Sequence, residues 1–150
     1  MELPQADHDL VYRSRKEFER LTQAGSADAP EACLRLVWAL VHSTFETDIV
    51  RGRELAQGLL ASKQLEERSE HDCIYLLSVA LYRQGRLLDA RRQLNELLKV
   101  NPESRQGAAL KAAVEDQIVR EGLVGVGVAG GIIATIAAVA LAAAFGGRRR

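Results

Sequence analysis

The chain has 150 residues, room for one ordinary domain, and its 20 Lys plus Arg against 20 Asp plus Glu leave a formal net charge of zero. That balance is uneven: residues 1–121 hold 17 bases against all 20 acids, a net of −3, while Arg148, Arg149 and Arg150 carry +3 and the 26 residues 122–147 between them hold no charged side chain. A slightly acidic body without a Lys/Arg block excludes nucleic acid as a partner, two cysteines exclude a disulfide scaffold or zinc ribbon, and the acidic start Met-Glu-Leu-Pro-Gln-Ala-Asp excludes a secretory or transit signal, so the N-terminus is expected in the cytosol.

No segment before residue 121 alternates with period two, and the punctuation is helical. Residues 1–7, with Pro4 and two acids, read most simply as a frayed terminus. A first amphipathic helix is predicted from about Asp9 to Ala24, with Leu10, Val11, Phe18 and Leu21 apolar, and Gly25-Ser26 ends it. Pro30 opens a second in its first turn, where Cys33, Leu34, Val37, Trp38 and Val41 follow the 3.6-residue period. A third starts near Thr47 or Asp48, places Gly52, Leu55, Ala56 and Leu59 on one face, and stops at Ser62-Lys63-Gln64. The fourth is predicted from Ser69, paired with Asp72 as a capping box, and carries Cys73, Ile74, Leu77, Ala80 and Leu81 inward before Gly85. A fifth covers about Leu87 to Lys99. Asn101-Pro102 then reads as N-cap and first-turn proline of a sixth, with Gly107, Leu110, Val114 and Ile118 on one side, running through Arg120-Glu121 into the apolar segment.

An internal repeat organises these helices. Residues 69–102 fit a tetratricopeptide unit ending on Pro102, with Leu77, Leu81, Ala90, Leu94 and Leu97 at its apolar positions and Ser78 in the small-residue slot. Gly52, Ala56 and Leu59 precede Ala90, Leu94 and Leu97 by a constant 38 residues. The earlier unit is degenerate, with extra residues near Phe45 to Thr47 and Gln64 in place of the final proline. The expected fold is therefore all-α: two tetratricopeptide-type hairpins, the first and sixth helices as caps, and one C-terminal transmembrane helix.

Residues 122–147 at about 1.5 Å each would span roughly 39 Å, beyond the ~30 Å hydrocarbon core, and they lack the polar stripe of a buried core helix. The predicted division is 1–121 as a cytosolic domain, 122–147 as a tail anchor inserted after translation, and 148–150 as a basic targeting tail. The positive-inside rule would keep the arginines cytosolic, but a three-residue tail is short enough to translocate. Eight Ala and seven Gly make the span weakly hydrophobic, a composition that with terminal bases fits the mitochondrial outer membrane or the peroxisome. Gly127 with Gly131, and Gly130, Ala134, Ala138 and Ala142, fall at four-residue spacing, the pattern of a close-packing face through which the chain would form a homo-oligomer.

Stacked hairpins leave a concave groove lined by the first helix of each pair, and binding is what such grooves do. The expected groove residues are Arg35, Ala39 and His42 in the earlier repeat and Tyr75, Val79, Tyr82 and Arg83 in the later one. Tyr75 and Tyr82 fit the core equally well, Arg35 and Arg83 also suit a solvated surface, and Trp38 reads as core. His8, His42 and His71 have no metal-ligand spacing, and no nucleophile motif or phosphate-cradling loop is present, so no enzyme, cofactor, metal or small-molecule substrate is expected.

Four stretches carry a family resemblance: Asp9-Leu10 with Ala24-Gly25-Ser26; Trp38-Ala39-Leu40-Val41-His42-Ser43 followed by Asp48-Ile49 and Gly52; Asp72 through Tyr82-Arg83; and Gly122-Leu123-Val124-Gly125. In their order the chain resembles the mitochondrial and peroxisomal fission-one proteins, tail-anchored adaptors in organelle division. The resemblance implies a cytosolic domain that recruits a dynamin-related GTPase to the outer membrane, directly or through adaptor proteins. It also implies that the arm of residues 1–8 lies over the groove and competes with a partner. The approach to the anchor, Gln117 to Glu121, is less basic than in some members, which leaves mitochondrion, peroxisome or both open. The alternative built on the same repeats is a tail-anchored receptor for preproteins or chaperones, whose carboxylate clamp would need several converging Lys, Arg and Asn side chains.

Overall fold

The structure is a computed structural model that describes residues 1–122. The expected anchor beyond Gly122, with Gly127, Gly130, Gly131, Ala134, Ala138 and Ala142, and the tail Arg148 to Arg150 lie outside the described residues, and among those described no helix is long and apolar enough to cross a membrane. Six helices follow one another: α1 (His8–Gln23), α2 (Ala29–Val41), α3 (Glu46–Ser62), α4 (Glu67–Arg83), α5 (Leu87–Val100) and α6 (Arg105–Arg120). Each packs on the next, and α2 also packs on α4 and α4 on α6. Alternate helices thus form two layers, with α2, α4 and α6 on the inner side and α1, α3 and α5 outside them.

Burial follows from that layering. α4 touches both neighbours and both inner partners, and Cys73 with the unbroken run Leu76 to Leu81 is buried there. α5 and α6 each bury one stripe at helical spacing, Leu87, Ala90, Leu94 and Leu97 on α5 and Gly107, Leu110, Val114 and Ile118 on α6. Fully buried Ser78 returns its hydroxyl to the Ile74 carbonyl at 2.9 Å, which satisfies the one polar group in the middle of α4's packed face.

Helix ends have local causes. Asp7 caps α1 by accepting from the Leu10 amide at 2.7 Å. Gly25 (φ +64°) and Gly85 (φ +73°) take the left-handed conformation that closes α1 and α4, with the Ser26 amide donating to the Leu21 carbonyl and the Arg86 amide to Leu81, the six-to-one bond of a Schellman turn. Lys63 takes the left-handed conformation after α3 without being glycine (φ +58°), and there the six-to-one bond is replaced by the Gln64 amide donating to the Ser62 hydroxyl at 3.4 Å.

Three boundary expectations are corrected. Ser69 does not cap α4, which starts two residues earlier at Glu67; its hydroxyl donates to the Glu31 carboxylate on α2 at 3.1 Å, so a tertiary partner outcompetes the local one. Asn101 is the C-cap of α5, and α6 starts at Arg105 behind Ser104, whose hydroxyl accepts from the Gly107 amide at 3.0 Å. The sixth helix does not run on past Glu121. It ends at Arg120, and Gly122 (φ +75°) turns the chain left-handed with its amide on the Val119 carbonyl.

Gly52 sets the approach of α3 to α2: a Cβ there would stand 2.7 Å from Val41 Cγ1 and 3.0 Å from Leu40 Cβ. Gly58, two turns on, would meet nothing within 4 Å. Gly52→Ala is expected to lower the unfolding free energy by about 1–3 kcal/mol through overpacking, whereas Gly58→Ala raises it by roughly 0.5–1 kcal/mol through helix propensity. Urea unfolding of the two variants checks both signs.

Candidate functional site

The inner layer is open at one half and shut at the other. In the open half α2 supplies Leu34, Arg35 and Trp38 and α4 supplies Asp72, Tyr75 and Leu76, each a set of neighbours within one turn, and Gln106 of α6 closes the third side of a cleft of about 340 Å³. Leu34 and Leu76 are buried and form the floor. Half-buried Tyr75, its phenol pushed to a higher pKa by burial, and Trp38 stand above them, and Arg35 and Asp72 put one charge of each sign at the rim. Trp38 is 36% exposed, which corrects its assignment to the core. Its indole lies against the His42 imidazole, ring centroids 4.4 Å apart and tilted by 39°. An apolar floor, aromatic walls and opposed rim charges suit an apolar anchor residue on an amphipathic segment.

The other half is filled by the chain itself. Ala39 and Val79 are fully buried, so neither is available as a partner contact. Ala6 packs with Val11, Leu36, Ala39 and Leu40, its amide donates to the His42 carbonyl at 2.9 Å, and Leu3 is half-buried against the larger core cluster. The N-terminal arm is thus docked, not frayed.

His42 and Arg83 serve this closed half and not an open groove. His42 is 2% exposed and donates from Nδ1 to the Trp38 carbonyl at 2.8 Å. Arg83, expected to meet a partner or solvent, reaches from α4 and donates through Nη1 to the carbonyls of Val41 at 2.7 Å and Ser43 at 2.6 Å. Tyr82 lies half-buried against the larger core cluster, outside the cleft. Of the seven expected groove residues, the structure therefore brings Arg35 and Tyr75 together at the cleft. Sequence reasoning missed Trp38, Asp72 and Gln106 as cleft residues; the four-residue step from Leu34 to Trp38, matched by Asp72 to Leu76 on α4, was the available signal.

Neither cysteine is primed as a nucleophile. Burial pushes the Cys33 thiol up to about 11 and, with nearby Cys33, Glu70 and Asp72 adding to it, the Cys73 thiol up to about 12; Cys73 instead donates to the Ala56 carbonyl at 3.6 Å. Among the described residues no three His, Cys, Asp or Glu side chains are grouped to hold a metal.

Burial lowers the His42 pKa below its ordinary 6.5, nearby Arg83 lowers it further, and the bond to the Trp38 carbonyl opposes both. Below pH 6.5 the unfolded chain therefore binds a proton that the folded chain refuses. The stability His42 contributes is fully present above 6.5 and lost as pH falls toward its folded value. Urea unfolding between about pH 7.5 and 5.5 is expected to show a decline that is shallower in His42→Gln.

Comparison with known proteins fits the helices and the repeat. Residues 71–123 match the Fis1 C-terminal tetratricopeptide repeat. Mitochondrial fission 1 protein B of Arabidopsis thaliana is 36% identical over 145 residues, covering 94% of this chain and 83% of that protein, and its paralogue mitochondrial fission 1 protein A is 33% identical over 148 residues, covering 89% and 85%. The crystal structure of yeast Fis1 in complex with an Mdv1 fragment containing N-terminal extension and coiled-coil domains superposes with a TM-score of 0.68 at 21% identity, over 79% of this chain and 90% of that one, which shows a shared fold. With its six-helix repeat matched to that fold and more than a third of its residues identical to a relative across nearly its whole length, this chain belongs to the mitochondrial fission 1 family.

Proposed function

We propose that the chain is a membrane-anchored adaptor in mitochondrial fission, with residues 1–121 as the cytosolic binding domain, 122–147 as the anchor in the outer membrane and 148–150 as a basic targeting tail. A role at the peroxisome is part of the same reading, because the weakly hydrophobic segment ending in three arginines suits either membrane. The observation that carries the proposal is the divided inner face: a cleft between Trp38 and Tyr75 stands open beside a half covered by the chain's own arm. Such a face takes an apolar anchor from an adaptor segment and so brings a dynamin-related GTPase to the membrane, directly or through that adaptor. The binding of an Mdv1 fragment by yeast Fis1, which shares the fold, supports an adaptor as the partner.

Anchoring makes a modest groove sufficient. Confinement to a surface raises effective concentration, and pairing of anchors through the small-residue face of Gly127, Gly130, Gly131, Ala134, Ala138 and Ala142 would present two grooves to a coiled-coil partner. The alternative chaperone or preprotein receptor is disfavoured by the site's chemistry, because Arg83 is occupied by backbone carbonyls and, among the described residues, Arg35 is the one cation lining the cleft.

Two experiments test the proposal. In a pull-down with a coiled-coil fission adaptor or a dynamin-type GTPase, Trp38→Ala and Tyr75→Ala are expected to weaken capture about tenfold or more, and removal of residues 1–6, which spares the Asp7 cap, to strengthen it; binding unmoved by all three variants rejects the groove. Separately, a fluorescent fusion at the N-terminus is expected to ring mitochondria or peroxisomes and to become diffuse once residues 122–150 are removed. Organelle localisation that survives this truncation rejects the anchor.

A further inference from the structure

The C-terminus of α2 presents three consecutive carbonyls, at residues 41, 42 and 43, and each is bound by a donor distant in sequence. Val41 and Ser43 accept from the same Arg83 Nη1, and His42 between them accepts from Ala6. The last carbonyls of a helix have no intrahelical donor and form the negative end of its dipole, so a guanidinium is a fitting partner there. One atom bridging the carbonyls of residues 41 and 43 also restricts the two peptide planes that flank the 42–43 peptide, and through them the direction of the His42 carbonyl. Other contacts brace the same turn: the Ser43 amide, in the same peptide plane as the His42 carbonyl, donates to the Leu40 carbonyl at 3.2 Å, and the Ser43 hydroxyl donates to Asp48 at 2.5 Å and accepts from the Phe45 amide at 3.1 Å.

We infer that Arg83 is a positioning residue for the N-terminal arm: by gripping the carbonyls of Val41 and Ser43 it aims the His42 carbonyl at the Ala6 amide, so that the second hairpin controls whether the arm stays docked. The arm is held weakly in its own right, by one backbone bond, the buried Ala6 methyl and half-buried Leu3. A reorientation of one carbonyl therefore suffices to release it. Cover of the closed half of the groove is then set by the contact between the two repeats as well as by the arm's own sequence. Its consequence for partner binding rests on the adaptor reading above, but the coupling itself requires no partner.

Hydrogen exchange in the full chain in detergent, without any partner, tests this. Arg83→Met, similar in length and unable to donate, is expected to speed exchange of the Ala6 amide about tenfold or more while the amides of Leu94 and Leu97 keep their protection; Arg83→Lys, which keeps a charge at the helix end, gives an intermediate rate. Ala6 exchange unchanged in a folded Arg83→Met protein overturns the inference. Should Arg83→Met fail to fold, Arg83→Lys is compared in the full chain and in the chain lacking residues 1–6. Coupling predicts a smaller loss of urea midpoint in the truncated chain, and equal losses overturn it. Since neither readout involves a partner, failure of the groove proposal and failure of this one are separable.

Discussion

The end of α2 is a desolvated helix terminus, and such a terminus persists only when donors from elsewhere reach its carbonyls. Here α4 supplies a guanidinium and the N-terminal arm an amide, while α3 approaches so closely that only a glycine fits at position 52 against Leu40 and Val41. Arm, first hairpin and second hairpin therefore meet at one short stretch of backbone. A change in any of them is felt at this turn, because a buried carbonyl stripped of its donor is costly.

This terminus also divides the inner face. Near it, the arm's Ala6 packs with Leu36, Ala39 and Leu40 of α2, and Ala39 and Val79 are sealed. Trp38, one residue before Ala39 on α2, and Tyr75, one turn before Val79 on α4, line the cleft instead.

Most of the helical frame was legible because its signals are local. The stripe of Gly107, Leu110, Val114 and Ile118 and the glycines at 25 and 85 that end α1 and α4 follow from backbone sterics and 3.6-residue spacing, which act within a turn or two of the residue concerned. Two of the misreadings share one cause. Ser69 and Arg83 each carry a polar group with two plausible uses, and the choice lay with a residue that only folding brings near: Glu31 for Ser69 and the Val41 and Ser43 carbonyls for Arg83. Asn101 lost its place as cap to Ser104, three residues on, whose hydroxyl reaches the Gly107 amide where α6 packs against α5.

By itself the sequence determined that this chain is a helical repeat with two charge regimes, because periodicity, glycine punctuation and the distribution of charge are properties of the chain before it folds. Which face of each inner helix remains available was decided by tertiary structure alone. Trp38 and Ala39 are adjacent, and both lie on helix positions open to either use; the indole is left half in solvent while the methyl is sealed, because Ala39 belongs to the cluster that Val11 of α1 and Ala6 of the arm form on α2, and Trp38 does not. The arm's path depends on a hydrogen bond between residues 36 positions apart, made at a carbonyl whose neighbours are held from 40 and 42 positions away. No local pattern encodes separations of that length.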